Sequence, residues 1–161
     1  MKKMILVAIA AISLTHTYAQ TTELGLKLGG FANYDYAFIN NVVPVAGISI
    51  LFRPHNGMFQ LGPVAELGVD NGNAIATLGA DFNVPIGIKR VGYIYPGADI
   101  RVMSAYSDLG FSFGAHAGIT FRVTQGMSLN AEAGPRIMVF NAYPSHSYLV
   151  GTGSFGLRFN L

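Results

Sequence analysis

The chain of 161 residues has no cysteine, no tryptophan and few charges, and past its first residues it has no long apolar run. Without cysteine there is no disulfide, no thiolate metal site and no residue for an amino-terminal lipid anchor, so stability must come from burial and hydrogen bonding. Charged residues make up 11% of the chain, against about 25% in ordinary soluble proteins, which is too little for a normal water-facing surface. A run of roughly 18 apolar residues is needed for a membrane-spanning helix. The chain has none beyond its amino terminus, which excludes a helical membrane bundle. Lys2 and Lys3 account for the formal charge of +2, because the remaining eight basic residues match the eight acidic ones. With no basic stripe left, nucleic acid is excluded as a partner.

What is present begins with a leader. Two lysines precede an apolar segment, residues 4–14, and Thr17-Tyr18-Ala19 places small residues at the positions a signal peptidase recognises. Residues 1–19 are therefore expected to be a cleaved signal peptide and residues 20–161 the exported domain.

The exported part alternates with a period of two. Its last stretch sets Leu149, Gly151, Gly153, Phe155, Leu157, Phe159 and Leu161 against Val150, Thr152, Ser154, Gly156, Arg158 and Asn160. Successive strand residues point to opposite faces, so one face is apolar and the other mostly polar. The same alternation recurs in seven earlier segments, near residues 22–36, 43–52, 59–70, 76–84, 92–102, 112–123 and 128–139. Turn signals separate several of them: Asn56-Gly57, Asp70-Asn71-Gly72-Asn73 and Thr124-Gln125-Gly126. Asn40-Asn41 and the polar residues 104–109 and 141–147 are expected to be longer loops. Pro63 has no ladder donor and should weaken the pairing of its strand.

The odd feature is where the charges fall. Glu23, Lys27, Asp35, Glu66, Asp81, Asp99, Arg101, Arg122, Glu132, Arg136 and Arg158 all lie on the face opposite the apolar one, with His116 among them. Eight segments of about ten residues are the right length to cross a bilayer at a tilt, and an open sheet edge is not tolerated in hydrocarbon. The last strand should therefore pair with the first, with the charged face inside. An eight-stranded lumen is filled by side chains, so a network of paired charges is expected there. Outward aromatics fall into two groups, Phe52, Phe59, Phe82, Phe121 and Phe159 toward one end and Tyr34, Tyr36 and Phe113 toward the other, as interfacial belts require.

On these grounds the chain resembles the small eight-stranded outer-membrane β-barrel proteins of Gram-negative bacteria, the OmpX-like or OmpA-transmembrane type with porin-like barrel domains. The terminal Ser154-Phe155-Gly156-Leu157-Arg158-Phe159 is similar to the signal read by the barrel-assembly machinery. Ser154, Gly156, Leu157 and Phe159 match it, and Leu161 stands where phenylalanine is commoner. The resemblance implies an all-β, up-and-down transmembrane barrel in the outer membrane, with outer-membrane lipid and the assembly machinery as partners. It implies short turns on the side of the termini and longer loops on the other. It further implies a non-enzymatic structural or surface role, with Tyr106, Asp108, Tyr143 and His146 as loop candidates. No cofactor or metal is expected, since His55, His116 and His146 fall at different heights. Two other readings stand beside it. One is a narrow passive pore. The other is a lipid A-modifying enzyme, for which His146 with Ser145 or Ser147 is the local candidate. A soluble lipocalin-like barrel would need the opposite arrangement of faces.

Overall fold

The computed structural model describes residues 19–35, 38–54, 57–88, 91–105, 108–140 and 146–161, and within these the side chains of all but residues 19–20, 33–35, 38–41 and 146. All of the expected leader but Ala19 falls outside the described residues. The elements in chain order are β1 (Ala19–Asp35), β2 (Phe38–Pro54), β3 (Gln60–Asp70), β4 (Asn73–Asn83), β5 (Ile86–Ile88), β6 (Gly92–Ala105), β7 (Asp108–Arg122), β8 (Met127–Phe140) and β9 (His146–Asn160). Each pairs antiparallel with its neighbours in sequence, except that β4 pairs with β6 past the short β5. The ring closes between β1 and β9, in register from Glu23 opposite Asn160 to Asn33 opposite Val150. The result is a closed barrel of eight long strands with one three-residue addition.

Alternation sets which side chains line the ring. In β6 the buried residues Tyr95, Asp99, Arg101 and Met103 alternate with exposed Ile94, Pro96, Ile100 and Val102. Along the outer wall Leu28, Leu67, Leu78 and Phe155 are between 56% and 67% exposed, whereas Arg101 and Asp81 are 2% and 3% exposed. This inverts a soluble protein, where large aliphatic chains are buried and arginine almost never is. Among the expected belt residues Phe59, Phe82, Phe121 and Phe113 are exposed on the outer wall, and Phe59 stacks on Phe82 at 5.7 Å. Phe52 departs from the belt, being only 5% exposed. Tyr36 and the Tyr34 side chain lie outside the described residues.

Proline acts as expected at Pro63. The β2–β3 ladder breaks between Ser49 opposite Val64 and Phe52 opposite Leu61. A second break, between Gly114 opposite Arg136 and Ala117 opposite Ala133, falls at Pro135. In each case the ring nitrogen has no hydrogen to give.

The loops differ from expectation. Asn41 is not in a loop but in β2, opposite Asn33. Ser104 and Leu109 face each other in the ladder, so only residues 106–107 join β6 to β7. At the end away from the termini the connections are residues 36–37, 71–72 and 106–107, two residues each, and the longer 141–145; at the terminus end they are 55–59, 84–91, which includes β5, and 123–126. The expected long loops at 36–37 and 106–107 are thus two-residue connections, while 141–145 stays the longest at its end. Polar residues suit turns, yet a strand continuing past the apolar band can carry them in its ladder. Among the described residues the tightest turn is Asn71-Gly72, whose φ values of 48° and 81° are both left-handed, as a two-residue hairpin turn requires.

Candidate functional site

Among the described residues polar chemistry is concentrated in the lumen, and it is stratified. Nearest the termini lies a stack of cations and aromatic rings. The Arg53 guanidinium sits 5.1 Å from the Tyr93 ring centre, and that of Arg158 lies 6.0 Å from Tyr93 and 4.9 Å from Tyr95. Arg158 donates to the Tyr93 hydroxyl at 2.7 Å and to the Tyr95 hydroxyl at 2.8 Å. Tyr93 in turn donates to Glu23 Oε2 at 2.8 Å, and Gln60 Nε2 donates to Glu23 Oε1 at 2.9 Å. The Tyr95 hydroxyl is 2.8 Å from Asn130 Oδ1 and 2.9 Å from Glu132 Oε2, with one proton to share between them.

The middle of the lumen is ionic. Lys27 Nζ lies 2.9 Å from Glu132, 3.3 Å from Glu66 and 3.7 Å from Asp81. Arg101 contacts Glu66, reaches Asp81 at 3.0 Å and Asp99 at 3.1 Å, and Arg136 reaches Asp99 at 3.2 Å and Glu66 at 3.4 Å. His116 is held by both ring nitrogens, Nε2 at 2.8 Å from Asn83 Oδ1 and Nδ1 at 3.5 Å from Asp99. No carboxylate here depends on a single cation, and buried charges persist only when so compensated. Glycines make room: a Cβ on Gly97 would sit 2.3 Å from His116 Nε2, and one on Gly114 would sit 2.3 Å from Asp99 Oδ2.

Toward the far end the lumen turns apolar. Phe31, Ile75, Met103, Ala105, Met138 and Val150 form a buried cluster, with Val43, Val45 and Phe140 packed against it. The junction is the Arg136 guanidinium, 5.2 Å from the Phe31 ring centre. A cavity of about 20 Å³ lies beside this junction, and one of about 10 Å³ lies among Lys27, Ser49, Asp81 and Asn130. Each is the size of a single water.

One of the expected lumen charges falls elsewhere, and a second is outside the described side chains. Arg122 is exposed at the terminus end, where its backbone N–H bonds to Val91 O at 2.8 Å; it is the last residue of β7, beyond the level at which the ring encloses side chains. Asp35 ends β1 at the far end, and its side chain is outside the described ones. Tyr106, Tyr143, Ser145, His55 and the His146 side chain also lie outside the described residues, while Asp108 is half-exposed at the start of β7. The apolar cluster was missed by sequence reasoning, although Phe31, Val45, Met138 and Val150 already stood on the charged face.

No protein-family model matches the chain, and no curated protein matches it by sequence. Solved structures do match in fold. Neisserial surface protein A (NspA) superposes with a TM-score of 0.66 at 13% identity, over 86% of this chain and 95% of that one. A de novo designed transmembrane β-barrel gives 0.59 at 12%, over 89% and 97%. Ail, the attachment invasion locus protein of Yersinia pestis, gives 0.51 at 11%, over 88% and 97%. The fold is thus the closed eight-stranded antiparallel barrel of the small outer-membrane proteins.

Proposed function

We propose that the chain is an integral outer-membrane protein of a Gram-negative bacterium, exported through a cleaved signal peptide, non-enzymatic, and structural or surface-interacting in role. One observation carries the reading: large apolar side chains cover the outside of the barrel while paired charges are enclosed within it. Water disfavours that arrangement and hydrocarbon favours it. The termini and the connections 55–59, 84–91 and 123–126 then face the periplasm.

The closing strand suits recognition by the barrel-assembly machinery. Ser154 and Gly156 turn inward while Leu157, Phe159 and Leu161 continue the outer face. Gly156 lies opposite Lys27 at the seam, where an added Cβ would meet Leu26 O at 2.0 Å. Glycine is therefore required at that position for closure itself. NspA is described as a surface protein and Ail as an attachment and invasion protein, which favours a surface role here. With three of the four far-end connections only two residues long, recognition would rest on strand ends and on residues 141–145. The tethering of His116 between Asp99 and Asn83 suits a structural group better than a base acting on lipid.

Membrane fractionation with unheated and heated gel migration tests the proposal. The expected result is an outer-membrane protein whose mobility shifts on boiling. A processed chain that stays soluble without lipid would contradict it. Unchanged lipid A mass spectra after deletion are expected, and an altered lipid A would restore the enzyme reading.

A further inference from the structure

Arg136 is 4% exposed, yet its guanidinium is only partly used. Nη1 reaches Glu66 at 3.4 Å and Nη2 reaches Asp99 at 3.2 Å, but Nε meets no acceptor. A buried N–H left in that condition is costly.

Arg136 lines the cavity of about 20 Å³ at the junction of the ionic and apolar layers. The cavity lies against the closing seam, where Gly30 stands opposite Gly153 and neither adds a side chain. Glu66, His116, Glu132, Thr152 and Ser154 complete its polar lining. The Thr152 hydroxyl donates to Gly134 O at 3.0 Å, and the Ser154 hydroxyl donates to Glu132 Oε1 at 3.1 Å. Each keeps lone pairs to accept with and has no further proton to give. Both ring nitrogens of His116 are taken, by Asn83 and Asp99. The side chains around the cavity thus offer one free donor, Arg136 Nε–H, and several acceptors.

That balance selects the ligand. A halide would find a single donor and two carboxylates. A metal ion or an ammonium would stand beside the Arg136 cation and leave Nε without an acceptor. A water molecule accepts from Nε and donates its two protons to oxygens across the cavity, and about three hydrogen bonds are usual for a buried water. We propose that this cavity is a structural water site, in which one long-lived water binds Arg136 Nε to the hydroxyl and carboxylate oxygens around it. The cavity of about 10 Å³ beside Lys27 lacks that demand: among its described lining residues no buried side-chain nitrogen or oxygen is without a partner. It holds no resident water. The site is enclosed by the strands, so it does not depend on what meets the outer wall.

The test uses the full chain, isotope-labelled and folded in detergent micelles, with the Arg136 Nε–H resonance assigned by its loss in Arg136→Lys. The parent should show a rotating-frame cross-peak between that proton and water, with the sign of cross-relaxation and not of proton exchange. Val45→Ile adds a methyl group to a side chain that lines the cavity and should abolish the cross-peak. Ser49→Thr adds one at the smaller cavity and should leave it unchanged. Lack of the cross-peak in a parent shown to be folded by heat-shifted migration overturns the proposal. A cross-peak that survives Val45→Ile, or is lost in Ser49→Thr, does so too.

Discussion

The middle and the far end of the lumen are closed by opposite means. In the middle, Lys27, Arg101 and Arg136 each bridge two or three carboxylates from different strands. At the far end Phe31, Ile75, Met103, Met138 and Val150 close the same bore with apolar contacts. The ionic layer depends on direction and on every partner being present, because a charge left alone in a low dielectric is costly. The apolar layer depends on volume, and any well-fitting hydrophobe serves it. One ring of strands thus holds one layer that tolerates little change and one that tolerates much.

Substitution should expose this difference, read as unfolding free energy in urea from lipid vesicles. Arg101→Leu takes a cation from Glu66, Asp81 and Asp99 at once and should cost most, about 3–5 kcal/mol. A cost near zero would mean that the carboxylates find other partners. Leu157→Arg brings a charge to the outer wall instead and should cost about 2–4 kcal/mol if the residue lies at mid-membrane. Heat-modifiable folding equal to the parent's would contradict a lipid-facing wall there. Within the apolar layer Met103→Leu keeps the volume and should cost less than about 1.5 kcal/mol. Arg101→Lys keeps the charge but loses the fork whose three separate nitrogens meet Glu66, Asp81 and Asp99; it should therefore destabilise more than Met103→Leu. The reverse order would remove the distinction between the layers. Thr152→Ser, which keeps the hydroxyl that donates to Gly134 O at 3.0 Å, should have the smallest effect.

The same contrast explains what could be read from the sequence. Alternations such as Leu26-Lys27-Leu28 and Ile100-Arg101-Val102 state both the strand and its inner face, because a charge between two large hydrophobes has one side to go to. The closing pair β1–β9 followed from the need to leave no edge in hydrocarbon. The apolar layer was not legible in the same way. Phe31, Met138 and Val150 sit on the inner face among residues that resemble the outer one, and their meeting depends on the stagger between strands, which no single segment records. Arg122 shows the converse, a charge in the right phase but at a height where the ring no longer encloses it. The asparagines at 40–41 and the polar stretch at 104–109 misled for a third reason: turn preference is local, whereas ladder length is set by the neighbouring strand.

The most direct measurement uses the absence of tryptophan. Leu78, on the outer wall of β4 and 65% exposed, replaced by tryptophan would be the sole indole in the folded, vesicle-inserted protein. Emission shifted to the blue and quenched by lipids brominated on their acyl chains, but untouched by aqueous iodide, is the result expected of a wall that faces hydrocarbon. Quenching by iodide with no effect of the brominated lipid would show that wall in water and contradict the account.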